Sequence, residues 1–95
     1  MERFVQISLS RLVEKQLQKL PSYIKDHFEE WIDSIEKIGL IETRKLSGYY
    51  DEPLQGKRKG QRSIRLSRSY RVIYKVSETG DLILIMILEV NKHEY

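Results

Sequence analysis

The residues best suited to chemistry are two arginines and a histidine near the end of the sequence, Arg65, Arg71 and His93. Arginine presents a rigid fork of N–H donors that matches the oxygens of a phosphate group. A histidine placed among arginines is disfavoured in its charged form, so its neutral ring can accept a proton at pH 7. If the fold brings these side chains together, they could bind a phosphate and move a proton beside it.

The two arginines belong to a basic segment, residues 44–75, with ten Lys and Arg against two Asp and Glu, whereas the rest of the chain has a net negative charge. Concentrated positive charge is typical of surfaces that bind phosphates, because neutralising phosphates releases condensed counterions. A solvated basic loop is the alternative interpretation. The predicted phosphate-binding residues of the segment, besides the two arginines, are Lys57, Arg58, Lys59, Arg62, Arg68 and Lys75.

The spacing of apolar residues predicts the elements that must position these side chains. Phe4 to Ile7 indicates a first strand, and Ser10 is a suitable cap for a helix that ends before Pro21. A second helix follows and ends near Gly39, and residues 40–62 are predicted to form a loop. Three strands are predicted beyond the loop, at residues 63–67, 70–76 and 82–90.

The predicted fold is α+β, with two N-terminal helices on one face of a mainly antiparallel four-stranded sheet in the order β-α-α-β-β-β. Residues 82–90 are apolar on both faces and should form a central or nearly central strand. The length of 95 residues predicts a single domain that spans residues 1–95. The second helix should bury Ile24, Phe28, Trp31, Ile35 and Ile38 against the sheet.

Alternation along the strands predicts which side chains share the face of the sheet that lies away from the helices. Arg65 alternates with apolar neighbours in its strand, and Arg71 and Lys75 do so in the next strand. We therefore expect these cations on the open face. Four residues at the end of the last strand alternate in the same way, so their side chains would also lie on the open face unless the terminus frays: Glu89, Asn91, His93 and Tyr95.

The composition excludes several kinds of site. The chain has no cysteine, which rules out disulfides and thiolate chemistry and favours a reducing cytoplasm. The two histidines, His27 and His93, lie on separate elements, so we predict neither a metal nor another cofactor, and we interpret His27 as a surface residue. The N-terminus does not resemble a signal peptide, and the apolar run at residues 82–88 is too short to cross a membrane.

The stretches EPLQGKRKGQRSIRLSRSYRVIYKV and ILEVNKHEY, together with the predicted order of elements, resemble the RelE/ParE superfamily of toxins from type II toxin–antitoxin systems, most closely its HigB-like and RelE/StbE-type members. The resemblance implies a small cytoplasmic ribonuclease that enters the ribosomal A site, cuts messenger RNA there and is held inactive by a cognate antitoxin. The superfamily also includes ParE-type gyrase poisons without nuclease residues, so the fold alone does not decide the activity. A plain RNA-binding module is a third alternative.

For a ribonuclease that uses no metal, cleavage requires a base for the ribose 2′-hydroxyl, cations for the phosphoryl oxygens and an acid for the leaving oxygen. The resemblance assigns Arg65 and Arg71 to the scissile phosphate. We predict that His93 transfers a proton and that Tyr95 stacks on a base or positions a phosphate. The second proton-transfer group stays open, with four candidates: Lys57, Lys59, Glu89 and Glu94.

Overall fold

Capping residues set the limits of the helices in the computed structural model, which describes residues 4–92. The first helix, α1 (Arg11–Gln18), begins at Ser10, whose hydroxyl accepts a hydrogen bond of 3.1 Å from the backbone N–H of Val13. The second helix, α2 (Ser22–Ile38), ends at Gly39, which has a φ of 87°. A third helix, α3 (Leu40–Arg44), follows directly.

Five strands form one sheet in the described part of the chain, in the order β1-β5-β4-β3-β2. The first strand is parallel to β5, and the other neighbouring pairs are antiparallel. Short 3-10 turns at Ser47–Tyr49 and Gly56–Arg58 precede and follow β2. The strands are β1 (Phe4–Leu9), β2 (Glu52–Pro53), β3 (Arg62–Arg65), β4 (Tyr70–Thr79) and β5 (Leu82–Lys92).

The α+β class and the nearly central position of the last strand are confirmed, whereas the predicted numbers of helices and strands are wrong. The predicted loop at residues 40–62 contains α3 and β2, so the described chain has three helices and a mixed sheet of five strands. The helix has five residues and the strand has two, too few to produce a readable periodicity. The parallel pairing of β1 has no local signal, because it depends on the path of the whole chain.

The core lies between the helices and the sheet, and Trp31 of α2 is at its centre. Trp31 is fully buried, as predicted, and its ring centroid lies 5.2 Å from that of Tyr74 and 6.1 Å from that of Phe28. Ile24 and Ile35 are buried on the same side of α2. The prediction for Ile38 is wrong, because the helix ends there and leaves this side chain 49% exposed.

A buried carboxylate attaches the segment before β2 to the helix-facing side of the sheet. The side chain of Asp51 is 1% exposed, and it accepts hydrogen bonds from the Tyr74 hydroxyl at 2.5 Å and from Arg62 Nε at 2.6 Å. Arg44 of α3 also donates to the Tyr74 hydroxyl, at 3.4 Å. A buried carboxylate with two donors satisfies its acceptors and fixes the position of the segment that carries it.

The Tyr74 hydroxyl predicts a loss of stability at alkaline pH. Burial, helped by the hydrogen bond to Asp51, raises the pKa of Tyr74 from 10.0 to about 12. The unfolded chain therefore loses this proton first, so the contribution is complete below pH 10 and is lost towards about pH 12. We expect the free energy of unfolding to fall by about 2 kcal/mol more across this window in the wild type than in Tyr74→Phe, measured by urea denaturation.

Tyr23→Phe is the control for that measurement, because the Tyr23 side chain is 58% exposed on α2. This variant should show the same alkaline loss of stability as the wild type. An identical alkaline loss in Tyr74→Phe would contradict the effect assigned to the buried hydroxyl.

His27 is exposed, as predicted, and its Nδ1–H donates a hydrogen bond of 2.7 Å to the backbone carbonyl of Leu66. Residues 4–92 contain no group of three His, Cys, Asp or Glu side chains arranged to hold a metal ion. None of the helices described here has the length and apolar character needed to cross a membrane.

Candidate phosphate-binding site

The register of the sheet brings the two strand arginines together. Arg65 of β3 lies directly opposite Arg71 of β4, and Arg71 lies opposite Asn91 of β5. Opposed residues share a face, with Cβ atoms about 5 Å apart. The residues next to each arginine, Ile64 and Val72, are buried in the core, so the arginines project away from the helices. Their predicted convergence on the open face is therefore confirmed.

The two arginines line a small depression at the end of the β3–β4 hairpin, with a volume of about 50 Å³. Arg71 Nε is buried and forms no hydrogen bond with any group in residues 4–92. A buried donor without an acceptor is costly, and a phosphate oxygen would satisfy it. The residues that line the depression are Glu52, Ser63, Arg65, Ser67, Arg68, Tyr70 and Arg71.

Glu52, the carboxylate that lines this depression, is not among the site residues predicted from the sequence. The two-residue strand β2 pairs with β3 so that Glu52 lies opposite Ser63, on the face of Arg65. The charge pattern contained a signal for it, because Asp51 and Glu52 are the two acidic residues of the basic segment. Asp51 is buried against Tyr74, so of these two carboxylates Glu52 is the one available to a bound phosphodiester.

The other strand carboxylate on this face, Glu89, is already engaged. One of its oxygens lies 2.5 Å from Arg58 Nη2, and the other accepts a hydrogen bond of 2.8 Å from the amide of Asn91. Arg58 also donates to Gln61 at 2.9 Å. These contacts hold residues 56–60, here called the basic loop, against β5, and Ile73, which pairs with Glu89, is fully buried although it faces away from the helices. The charge of Arg58 is therefore largely neutralised.

The remaining predicted cations differ in their positions. Lys57, Lys59 and Lys75 are exposed, the first two in the basic loop and Lys75 on the open face of β4. Arg68 lines the depression. The structure does not bring Arg62 to this face: it lies opposite Tyr74 and is bound to Asp51 on the helix-facing side, which removes it from the phosphate-binding set. His93, Glu94 and Tyr95 lie outside the described residues.

The contact with Asp51 keeps the side chain of Arg62 charged, as a structural ion pair requires. Burial by itself would lower the pKa of Arg62, but the hydrogen bond and charge of Asp51, with a smaller effect of Tyr74, raise it above its ordinary value. The guanidinium therefore stays charged and paired inside the fold.

A larger depression, of about 760 Å³, lies between β1 and α2 on the other side of the sheet. Its apolar floor includes Ile7, Leu9 and Phe28. Negative charge along its rim would repel a phosphate backbone, so its size does not make it a nucleic-acid site. The acidic residues of the rim are Asp26, Glu29, Glu30, Asp33 and Glu36.

Comparison with known proteins gives both a family and a fold. The family model described as the ParE toxin of the type II toxin–antitoxin system, parDE, matches residues 7–94. No curated protein sequence matches the chain. Among solved structures, the YoeB/ParE toxin from Agrobacterium tumefaciens is similar, with a TM-score of 0.74 and 17% identity over 94% of this chain and 99% of that chain.

Two further solved structures share the fold. YafQ from E. coli has a TM-score of 0.68 and 19% identity, over 93% of this chain and 92% of that chain. A chain of the YoeB-YefM complex from Staphylococcus aureus has a TM-score of 0.70 and 20% identity, over 95% of this chain and 98% of that chain. The family match covers most of the sequence and agrees with the resemblance of its basic segment, so the chain belongs to the ParE toxin family of type II toxin–antitoxin systems, within the RelE/ParE superfamily.

Proposed function

We propose that this toxin is a ribosome-dependent endoribonuclease that cuts messenger RNA in the ribosomal A site without a metal ion. The observation that carries the proposal is the depression in which Arg65, Arg71 and Glu52 meet. A buried guanidinium N–H that has no partner within residues 4–92, in a residue beside a second arginine and a carboxylate, suits a phosphodiester that is bound and cleaved. A surface that only docks on a protein has no need of this combination.

Cleavage on this proposal proceeds by attack within the RNA. The ribose 2′-oxygen forms a bond to the adjacent phosphorus, and the bond from phosphorus to the 5′-oxygen breaks. Arg65 and Arg71 stabilise the negative charge that develops on the phosphoryl oxygens. The upstream product therefore ends in a 2′,3′-cyclic phosphate, and the downstream product begins with a 5′-hydroxyl.

We assign the two proton transfers to Glu52 and His93. Glu52 fills the position that the sequence left open: a carboxylate at neutral pH accepts protons, so Glu52 takes the proton of the 2′-hydroxyl. His93, which is predicted to transfer a proton, then gives one to the departing 5′-oxygen, since Glu52 accepts the other. This assignment reverses the acceptor role that the sequence suggested for His93. Glu89 is less suitable, since Arg58 and Asn91 hold both of its oxygens.

The proposed partners are the ribosome, messenger RNA and a cognate antitoxin, and the proposed location is the cytoplasm. Support for an antitoxin comes from the similar chains of YoeB-YefM from S. aureus and RelBE2 from Mycobacterium tuberculosis, which were solved as toxin–antitoxin complexes. We expect the antitoxin to cover the open face of the sheet, because binding there would block access of RNA to Arg65 and Arg71.

Backbone contacts by the basic loop predict a salt dependence. Replacing Lys57 and Lys59 by alanine should reduce the slope of log affinity against log salt by about 1.4 for single-stranded RNA, because each lysine neutralises about one phosphate and each phosphate of a single strand contributes about 0.7 to the slope. Arg58→Ala should change the slope less, because Glu89 already neutralises this charge. The measurement is a filter-binding or fluorescence titration at several salt concentrations.

Lys37→Ala with Lys45→Ala is the matched control for the loop variant. These lysines are exposed, and each is paired with an acidic residue of a helix, Asp33 of α2 and Glu42 of α3. The control should leave the slope unchanged. If the loop variant also leaves it unchanged, the loop does not contact the RNA backbone.

The alternative function is inhibition of DNA gyrase without catalysis. It is favoured by the family model that matches, which describes ParE toxins. The two functions separate when one preparation is added both to translating ribosomes and to a gyrase supercoiling reaction. Our proposal expects cut messenger with mapped ends and unchanged supercoiling. Loss of supercoiling with intact messenger would favour the alternative.

A further inference from the structure

We infer that Tyr50 forms a stacking subsite for a nucleobase at the edge of the arginine depression. The inference rests on the proposed function and extends it to a position that reads a base rather than a phosphate. The ring of Tyr50 lies against Arg65, whose guanidinium carbon is 4.8 Å from the ring centroid. A cation–π contact of this kind fixes the ring next to a residue that lines the depression.

Tyr50 is accessible to a ligand. The side chain is 61% exposed, although Arg65 covers part of it. The preceding residue, Tyr49, instead packs against the core, so exposure is particular to Tyr50. Nucleobases stack on exposed aromatic rings of this kind in proteins that bind single-stranded RNA.

The backbone holds the ring in place. Tyr50 has a φ of 49° and is the one residue other than glycine with a positive φ in the range 4–92. This left-handed conformation is unfavourable for a tyrosine and persists where the surroundings impose it. The next residue, Asp51, supplies that constraint through its buried contacts with Tyr74 and Arg62.

The same segment joins the subsite to the proposed chemistry. Glu52, two residues after Tyr50, lines the depression with Arg65. In RNA, each base lies close to the phosphate of its own nucleotide, so a phosphate on Arg65 brings a neighbouring base to the ring that contacts Arg65. Because every base has a π face, the subsite would fix the position of a base with little preference for its identity.

The probe for this subsite is a short single-stranded RNA in which every 2′-hydroxyl is methylated to prevent cleavage and one base at a time is 2-aminopurine. Stacking quenches the fluorescence of 2-aminopurine. Wild-type toxin and Tyr50→Phe should quench one position of the bound RNA strongly. Tyr50→Ala and Tyr50→Gly should lose that quenching and bind about tenfold more weakly, with the salt slope unchanged.

Tyr23→Ala is the matched control, because Tyr23 is 58% exposed but lies on α2. It should quench and bind as the wild type does. Tyr50→Gly removes the ring without adding backbone strain, since glycine adopts a positive φ freely, so it separates loss of the ring from strain at this position. Quenching that persists in both the alanine and the glycine variants would overturn the subsite and leave the proposed function intact. Absence of salt-dependent RNA binding by the wild type would also overturn the subsite, whereas the proposed function fails only if messenger stays intact on the ribosome.

Discussion

Arg71→Ala is expected to lower the rate of messenger cleavage on the ribosome about 100-fold, and to weaken ribosome binding far less. Arg71 Nε is buried and has no acceptor within residues 4–92, so a phosphate that gains charge in the transition state would supply one. A cation aimed at developing charge acts on the rate more than on binding. Single-turnover cleavage and ribosome sedimentation measure the two quantities separately.

Two further substitutions sharpen this result. Arg71→Lys keeps the charge but loses the forked donors, so it should restore only part of the rate. Arg11→Ala removes an exposed arginine from α1 and should leave the rate unchanged. A loss of binding as large as the loss of rate in Arg71→Ala would contradict the proposed role and indicate a docking contact instead.

Glu52→Gln and His93→Gln are each expected to lower cleavage between about 100- and 10,000-fold, because each removes one proton transfer. Binding to the ribosome should be nearly unchanged, since the glutamine is close in size to the residue it replaces. The measurement is again single-turnover cleavage, here across a range of pH. Loss of the carboxylate should remove the acidic limb of the pH profile, and loss of the histidine should remove the basic limb.

Glu89→Gln is the matched control for Glu52→Gln. Glu89 shares the open face, but Arg58 and Asn91 occupy its two oxygens, so its loss should loosen the basic loop and reduce the rate only moderately. If Glu89→Gln abolishes cleavage and Glu52→Gln does not, the carboxylate that accepts the proton is Glu89. Cleavage by His93→Gln at the wild-type rate would exclude His93 from the chemistry.

The alternation of apolar and polar residues was enough to predict where Arg65 and Arg71 lie, because both strands bury one face in the core. The same rule places Arg62 with Ile64 on the helix-facing side. Arg62 was assigned to phosphate binding by net charge alone, and the structure shows that its charge serves the buried contact with Asp51. Within a strand, the alternation of residues is therefore a better guide than their charge to the face of the sheet on which a side chain lies.

Glu52 could not be predicted from periodicity. Its strand has two residues, one of them proline, and its position depends on pairing with β3 and on the burial of Asp51. The ion pair between Arg58 and Glu89 could not be predicted either, because those residues are 31 positions apart in the chain. Contacts between distant segments decide which of several carboxylates remains available to a ligand.

The chemistry of the cut ends is the most direct test of the proposal that this toxin cleaves messenger RNA. Wild-type toxin added to translating ribosomes should yield upstream fragments that end in a 2′,3′-cyclic phosphate and downstream fragments that begin with a 5′-hydroxyl, because the ribose 2′-oxygen is the nucleophile. Fragments with a 3′-hydroxyl and a 5′-phosphate would contradict that mechanism. Intact messenger, together with inhibited gyrase, would contradict the proposed activity itself.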